Sequence, residues 1–446
     1  MNLPKMTAIA PSADWNSLIN DVADGRWRDP DTGRSVDVPF HHIRLGDGLA
    51  DIAEDLLHEI MPASSYAVVC DADTADAMGA AIARRLDGKA RVIVLDHPHA
   101  DEAQVEALQR DTAGAEALVA VGSGTINDLC KYATFLDGRP YSVFGTAPSM
   151  NGYTSSTASI TLRSGLKTTR KAHAAKGVFI DIDVSAAAPQ YLIGAGLGDS
   201  LCRPTAQIDW YFSHVMFGTR YATSPYVLQA EDERETLERS AGLGTGDHDA
   251  IGYLQRLLTL AGLGIAVVGL SHPGSMGEHQ ISHWIDSFAG DRHPGTVHGQ
   301  QVGVASITMA RLQKHILSME NAPRIRPYIP DEMAIRARYP AAAVDDCLAA
   351  SRAKAVNAEA AEVFNAKLAA LWPELRRTLS AMAIDPDEMA AHLRAAGGGA
   401  TYAQIGMDRE LYVEALRRCP EMRDRYSMLD LAIGMGILDE FIEEYV

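Results

Sequence analysis

Between Tyr66 and Thr146 short apolar runs alternate with helical patterns, and few folds accommodate that alternation. Tyr66-Ala-Val-Val-Cys-Asp71 reads as a buried strand, followed by an alanine-rich helix through Arg85. Arg91-Val-Ile-Val-Leu-Asp96 is a second strand, followed by a helix from Asp101 to Arg110 and a strand from Leu118 to Val121. Tyr141-Ser-Val-Phe-Gly-Thr146 is a fourth and Val178-Phe-Ile-Asp-Ile-Asp183 the last. Strands and helices at this spacing predict βαβ units and a parallel sheet. From about Gln190 the period changes. Segments at 199–216, 249–270, 277–289, 299–320, 342–382, 408–417 and 426–443 carry a helical repeat. The expected architecture is therefore an α/β nucleotide-binding domain over residues 1–189, followed by an all-α domain with a C-terminal extension over 190–446.

At 446 residues the chain exceeds one ordinary core, which agrees with two domains. A formal net charge of −18, with no basic patch to offset it, argues against nucleic acid or an anionic membrane as partner. Five scattered cysteines, Cys70, Cys130, Cys202, Cys347 and Cys419, suit reduced thiols rather than a disulfide framework. The start, Met1-Asn-Leu-Pro-Lys-Met-Thr7, lacks a signal pattern, and no apolar run is expected to span a membrane; the expected location is the cytoplasm. The charge-dense stretch Glu231 to Ser240 reads as a solvated helix face.

After the third strand, Gly122-Ser123-Gly124-Thr125 turns the chain into a helix that continues through Asp128 and Tyr132. Glycines there let backbone N–H groups approach a pyrophosphate, and the helix N-terminus favours its charge. The motif lacks the third glycine of the dinucleotide fingerprint and the Gly-Lys-Ser/Thr of a P-loop. A tight turn capped by Ser or Thr is the plainer alternative. Asp71 and Asp96, at strand ends, are candidate ribose acceptors, although an ordinary strand-end Asp is the simpler reading of each. A second turn, Gly145-Thr-Ala-Pro-Ser-Met-Asn-Gly-Tyr-Thr-Ser155, follows the fourth strand. Loops at the carboxyl ends of parallel strands are where ligands bind.

Three ligand-grade side chains lie further on: Asp199 in Gly-Leu-Gly-Asp, His279 in Gly-Glu-His-Gln-Ile-Ser-His and His298 in Val-His-Gly-Gln-Gln-Val-Gly. Two imidazoles and a carboxylate leave one position open on a divalent metal such as zinc, which is the catalytic rather than the structural pattern. His279 and His283 are four apart and share one helix face, but here Glu precedes the first His, unlike the metalloprotease signature. A phosphate cradle and an open metal site together suggest a nucleotide-dependent, metal-assisted reaction.

Gly122-Ser-Gly-Thr-x-x-Asp128, Thr146-Ala-Pro-Ser-Met-Asn-Gly152, Gly196-Leu-Gly-Asp199, Gly277-Glu-His-x-x-x-His283 and His298-Gly-x-x-Val302-Gly occur in order. Together they resemble the iron-type alcohol dehydrogenase superfamily over roughly residues 40–320. Within it the chain looks most like the bacterial branch of the sn-glycerol-1-phosphate dehydrogenases. The resemblance implies a Rossmann-like first domain, a helical second domain and an active site in the cleft. It also implies binding of NAD(H) or NADP(H) and one divalent metal, zinc or alternatively nickel, and a homo-oligomer acting on a small phosphorylated substrate. By position it assigns Gly122, Ser123, Gly124, Thr125 and Asp128 to the cofactor phosphates and nicotinamide side. Thr146 and Ser149 would lie along the adenosine half, and Ser155 near the nicotinamide ribose. Asp199, His279 and His298 would hold the metal, with His283 beside the nicotinamide and substrate; His283, suited by a near-neutral imidazole, or a metal-linked water would relay the proton. Asn151 stands where relatives carry an Asp at the substrate hydroxyls; the change removes a charge that would repel a phosphate. Lys167, Arg170, Lys171 and Arg203 are candidate phosphate anchors, although a solvated charge cluster is the plainer reading of the first three. The expected reaction is reversible reduction of dihydroxyacetone phosphate to sn-glycerol 1-phosphate. Glycerol or small-alcohol oxidation and a dehydroquinate-synthase-type cyclisation are the alternatives on this fold.

Overall fold

The computed structural model describes residues 14–163 and 165–446; the amino-terminal stretch read above for a signal lies outside them. Six strands form one all-parallel sheet: β1 Ile43–Gly46, β2 Tyr66–Asp71, β3 Ala90–Leu95, β4 Ala117–Gly122, β5 Tyr141–Gly145 and β8 Val178–Asp181, in the order β1-β8-β5-β4-β2-β3. Every residue of β4 and β5 is buried, as a parallel sheet covered on both faces requires. The five strands read from the sequence are present. β1 escaped that reading because it is four residues long and carries Arg44. So did an antiparallel hairpin, β6 Thr157–Thr161 with β7 Lys167–Lys171, whose Thr, Ser and Lys content masks its alternation; Ala158 and Ile160 are the buried positions of β6. β3 is an edge, and Val92 and Val94 on it are exposed.

The described chain divides into two compact units that do not follow a single break at 189/190. The first runs to Ser200 and also takes in Ala222–Leu270 and Ala395–Gly397; the second holds Leu201–Tyr221, Ser271–Arg394 and Gly398–Val446. The physical reason lies in the helix His248–Val268, which packs along the helices Ser224–Glu238, Ile182–Ala186 and Gln190–Ser200 of the sheet-bearing unit. Contrary to the sequence reading, this helix is long and apolar enough to cross a membrane by length and composition. It is a core helix here, with 72% of its most apolar window buried. The charge-dense stretch beside it is not wholly solvated either. Asp232 and Glu235 are buried, with Asp232 3.5 Å from Arg256 and Glu235 paired with Arg234 and Arg239.

The second unit is helical. Its core joins Phe212, Trp284 and Trp372 with residues from beyond position 330, among them Leu348, Leu368, Leu411 and Leu429. The C-terminal extension is therefore part of this core. The two longest expected helical segments there each break once. Asn357 caps a new helix, Ala358–Ser380, after Ala341–Ala353, and Gly436 in the left-handed region separates Met428–Met435 from Leu438–Tyr445. All five cysteines are buried, and none forms a disulfide.

Candidate functional site

In the sheet-bearing unit the strand order fixes one crevice. The chain winds outward from β2 to β3, then returns to β4 and proceeds the other way, so the winding reverses between β2 and β4. Gly122 and Gly145 are register partners, which sets the two glycine turns side by side at the carboxyl ends of β4 and β5. The two glycines of the first turn serve different ends. A Cβ on Gly122 would fall 2.7 Å from Cβ of Ile126, so the close approach of strand to helix demands glycine. A Cβ on Gly124 would meet nothing nearer than Met150 Cγ at 3.6 Å, an ordinary contact. Protein packing therefore leaves space over Gly124, where the helix Gly124–Asp137 begins. Ser123 occupies the N-cap position without making a side-chain capping bond. The Ser/Thr-capped turn is thus not what forms, and the opening N–H groups keep their capacity for an anion.

The second turn is clamped from below. The hydroxyl of buried Tyr153 lies 3.1 Å from the carbonyls of both Gly122 and Ala147. Thr146 and Ser149 are buried, and neither hydroxyl hydrogen-bonds to a described residue. Ser155 Oγ lies 2.9 Å from Thr157 Oγ1 and accepts the Thr157 N–H. Asp71 caps the next helix, with Oδ1 accepting both the N–H and the hydroxyl of Thr74 at 2.8 Å. Asp96, at the turn after β3, is almost fully exposed. Thr125 is half-buried in the first helical turn. Both oxygens of Asp128 are engaged, Oδ2 by the Ser159 N–H at 3.0 Å and Oδ1 by Lys131 at 3.3 Å. Lys131 is fully buried and also donates to the carbonyls of Gly152 and Thr157 at 3.0 Å. Asp128 and Lys131 thus anchor the second loop. The i,i+3 spacing was the available signal for Lys131, which the sequence reading passed over.

Asp199 ends the helix Gln190–Ser200, is 2% exposed, and accepts the Asn151 N–H at 3.2 Å. The glycine of its motif explains how. A Cβ on Gly196 would stand 1.6 Å from the Pro148 carbonyl oxygen, so only glycine lets this helix meet the second loop. The side-chain amide of Asn151 makes no hydrogen bond to a described residue.

In the helical unit three imidazoles gather. The rings of His279 and His298 are 5.0 Å apart, those of His283 and His298 5.4 Å, and those of His279 and His283 5.7 Å. His279 and His283 share the helix Gly277–Phe288, and His298 opens the helix His298–Leu317. A Cβ on Gly277 would lie 2.9 Å from Oδ2 of buried Asp209, which accepts the Gly277 N–H at 3.2 Å. Asp209 also accepts from the Met428 N–H and from Gln313 Nε2, both at 3.1 Å; burial, then nearby Glu278, raises its carboxyl well above the usual range.

The hydrogen-bond network assigns each ring its proton. Glu278 is an acceptor 3.1 Å from His279 Nδ1, so that nitrogen carries hydrogen and Nε2 keeps its lone pair. Ser282 donates its hydroxyl hydrogen to Gln301 Oε1 at 2.8 Å, so its oxygen accepts from His298 Nδ1 at 2.9 Å. His283 is the reverse. Arg423 Nη2 lies 2.7 Å from its Nδ1 and can only donate, so the hydrogen of His283 sits on Nε2. Burial, then Arg423, pushes this imidazole well below the ordinary histidine range. That corrects the expectation of a near-neutral relay: His283 is a neutral N–H donor. Two imidazoles each anchored at Nδ1 from behind, with Nε2 as the ligating atom, are the donor set a divalent metal takes. Ser282, Gln301, Glu278 and Arg423 were all missed by the sequence reading. Arg423, 140 residues from His283, left no local signal.

Residues 44–189 match the family model described as iron-containing alcohol dehydrogenase. That segment belongs to the family. The whole chain is 28% identical over 383 residues to glycerol-1-phosphate dehydrogenase [NAD(P)+] of Bacillus velezensis, covering 84% of each chain. It is 26% identical to the Bacillus subtilis protein of the same name, covering 91% of this chain and 93% of the other. Among solved structures, a probable glycerol dehydrogenase from Sinorhizobium meliloti 1021 is similar with a TM-score of 0.60 at 16% identity. That comparison covers 91% of this chain and 98% of the other, and at such identity it speaks for the fold alone.

Proposed function

We propose that this chain reduces dihydroxyacetone phosphate to sn-glycerol 1-phosphate with NADH or NADPH, with the aid of a divalent metal. The observation that carries this reading is the division of labour among the imidazoles: His279 and His298 held at Nδ1 by Glu278 and Ser282, and a proton on Nε2 of His283. Polarising and then hydrogen-bonding one ketone oxygen needs such a set. The names of the Bacillus relatives support the substrate and cofactor class. In this reading Asp199 joins His279 and His298 as the carboxylate ligand, on the strength of its motif and burial. Gly122, Ser123, Gly124 and Thr125 cradle the cofactor pyrophosphate with backbone N–H groups, while Thr146, Ser149 and Ser155 contribute hydroxyls. Asp71 reaches the ribose through the oxygen not used for capping. Asn151 meets a substrate hydroxyl without the charge an aspartate would set against a phosphate.

When bound, the metal supplies Lewis acidity at the carbonyl oxygen and the nicotinamide supplies the hydride. The protein supplies the rest. His283 Nε2–H faces the oxygen as it gains charge, and that hydrogen bond strengthens towards the transition state. Its neutral form, held by Arg423, prevents a competing positive charge on the ring. The proton completing the alcohol comes from water.

The test is NADH and NADPH consumption by chelator-stripped protein reloaded with zinc or with nickel. Dihydroxyacetone phosphate is compared with dihydroxyacetone. Metal-dependent turnover favouring the phosphorylated ketone, with sn-glycerol 1-phosphate as product, is the expected result. Preference for dihydroxyacetone would make it a glycerol dehydrogenase, and no turnover of either would defeat the reading.

A further inference from the structure

Arg423 sits in the stretch between the turn Cys419–Met422 and the helix Met428–Met435. It is half-buried, and its one side-chain hydrogen bond to a described residue goes to His283 Nδ1. No described carboxylate lies within ion-pair distance of it; its neighbour Asp424 is exposed. A guanidinium has five N–H donors, so most of this one's capacity is unspent while its charge is partly removed from water. Neighbouring Arg425 is different: it donates to the Ser275 carbonyl at 2.7 Å and to Ser271 Oγ at 2.8 Å, and so braces a turn. Two of the other basic candidates also have partners. Arg203 donates to Gln207 Oε1 at 2.8 Å, and Arg170 stands 4.0 Å from Glu102.

A partly desolvated cation with unspent donors calls for an anion, and a planar fork of N–H groups fits the oxygens of a phosphate. Arg423 and the Nε2–H of His283 are separated by one imidazole ring and one hydrogen bond, a span that a three-carbon ketone phosphate can bridge. We propose that Arg423, carried by the C-terminal extension, binds the phosphate of the substrate and thereby selects a phosphorylated ketone over an unphosphorylated one. The proposal deepens the function above and rests on it. It gives the extension a second task besides forming the core, namely delivering a cation to the histidine cluster.

Two measurements test it. In steady-state kinetics, Arg423→Gln should raise KM for dihydroxyacetone phosphate by about 100-fold, the size of a pair of charge-assisted hydrogen bonds. Because Arg423 also sets the proton on His283, kcat should fall to the same extent with both ketones, and the rise in KM should appear with dihydroxyacetone phosphate and not with dihydroxyacetone. Arg423→Lys should recover part of the loss, keeping the charge without the fork. An equal loss of kcat/KM with both ketones would overturn the proposal and make Arg423 a positioning residue for His283. Separately, inorganic phosphate is titrated into chelator-stripped protein by calorimetry. Binding to the wild type that disappears in Arg423→Gln, with an unchanged melting curve, is expected; equal binding to both proteins would overturn the proposal. This titration needs no turnover, so it decides the role of Arg423 even if the ketone-reduction reading fails.

Discussion

The two chemical regions of this protein are built from opposite materials. The glycine turns of the sheet-bearing unit act through backbone: space over Gly124, uncapped N–H groups, and two loops paired at Gly122 and Gly145. The histidine cluster of the helical unit acts through side chains, and its chemistry depends on which ring nitrogen carries hydrogen. A backbone device is specified by what is missing, a Cβ here and a cap there. An imidazole device is specified by what stands behind each ring: Glu278, Ser282 with Gln301, and Arg423. The first tolerates side-chain change outside a few glycines, whereas the second fails when any partner is lost.

The largest expected effect tests the side-chain half directly. His298→Ala or His279→Ala should lose metal on dialysis and lower kcat/KM by roughly a thousandfold, several kcal/mol of lost Lewis-acid stabilisation. Metal analysis and kinetics check this together. A variant that keeps both metal and rate would break the assignment of these two histidines as ligands. A smaller effect sharpens the point. Ser282→Ala leaves all three imidazoles in place but removes the group that fixes the His298 tautomer. Metal affinity should fall by about 10- to 100-fold, as supporting-ligand losses do, and competition with a chromophoric chelator reads it.

The backbone half has its own paired test. Gly122→Ala should destabilise the protein by about 1–3 kcal/mol, because the new Cβ meets Ile126. Gly124→Ala should leave the melting temperature unchanged and weaken NADH binding by about tenfold, since the methyl would fill space the protein does not use. Equal cofactor affinity in Gly124→Ala and wild type would break the cradle reading.

This difference in materials also decides what could be read from the sequence. The apolar runs at 66–71, 117–122 and 141–145 announced a parallel sheet, since strands buried on both faces leave no room for polar residues. Short β1 and the polar hairpin did not, because the hairpin's pairing rests on Ala158 and Ile160 alternating with Thr and Ser. The helix His248–Val268 was recognisable as a helix but not as a member of the sheet-bearing unit, since periodicity names an element without naming its neighbours. At the site, Gly122, Gly124 and the three histidines were legible as motifs. The protons on those rings were not. Ser282 and Gln301 each lie within a turn of a motif residue, yet only the folded arrangement shows which donates to which. Arg423 arrives from 140 residues away by virtue of the core packing of the C-terminal helices, and no local pattern encodes such a return.

The smallest expected effect contrasts histidines between the two regions. His248, in the sheet-bearing unit, is partly exposed and lies 2.8 Å from Asp47, whose hydrogen bond raises the imidazole pKa. A raised folded value means that the pair adds its full stability below the ordinary histidine range, near about 6.5. The contribution is lost as pH climbs through the higher folded value. Because both side chains are well exposed, the gain should be under about 1 kcal/mol and should shrink in high salt. Comparing the melting temperatures of wild type and Asp47→Asn across this range measures it. The two curves should differ by a degree or two on the acid side and converge on the alkaline side. His283 is set up in the opposite sense, kept neutral by burial and a cation, so mutating Arg423 should raise its titration, whereas removing Asp47 lowers that of His248. Imidazole titrations followed by NMR in the two variants should therefore move in opposite directions; shifts of the same sign would show that the two regions treat histidine alike, contrary to the geometry.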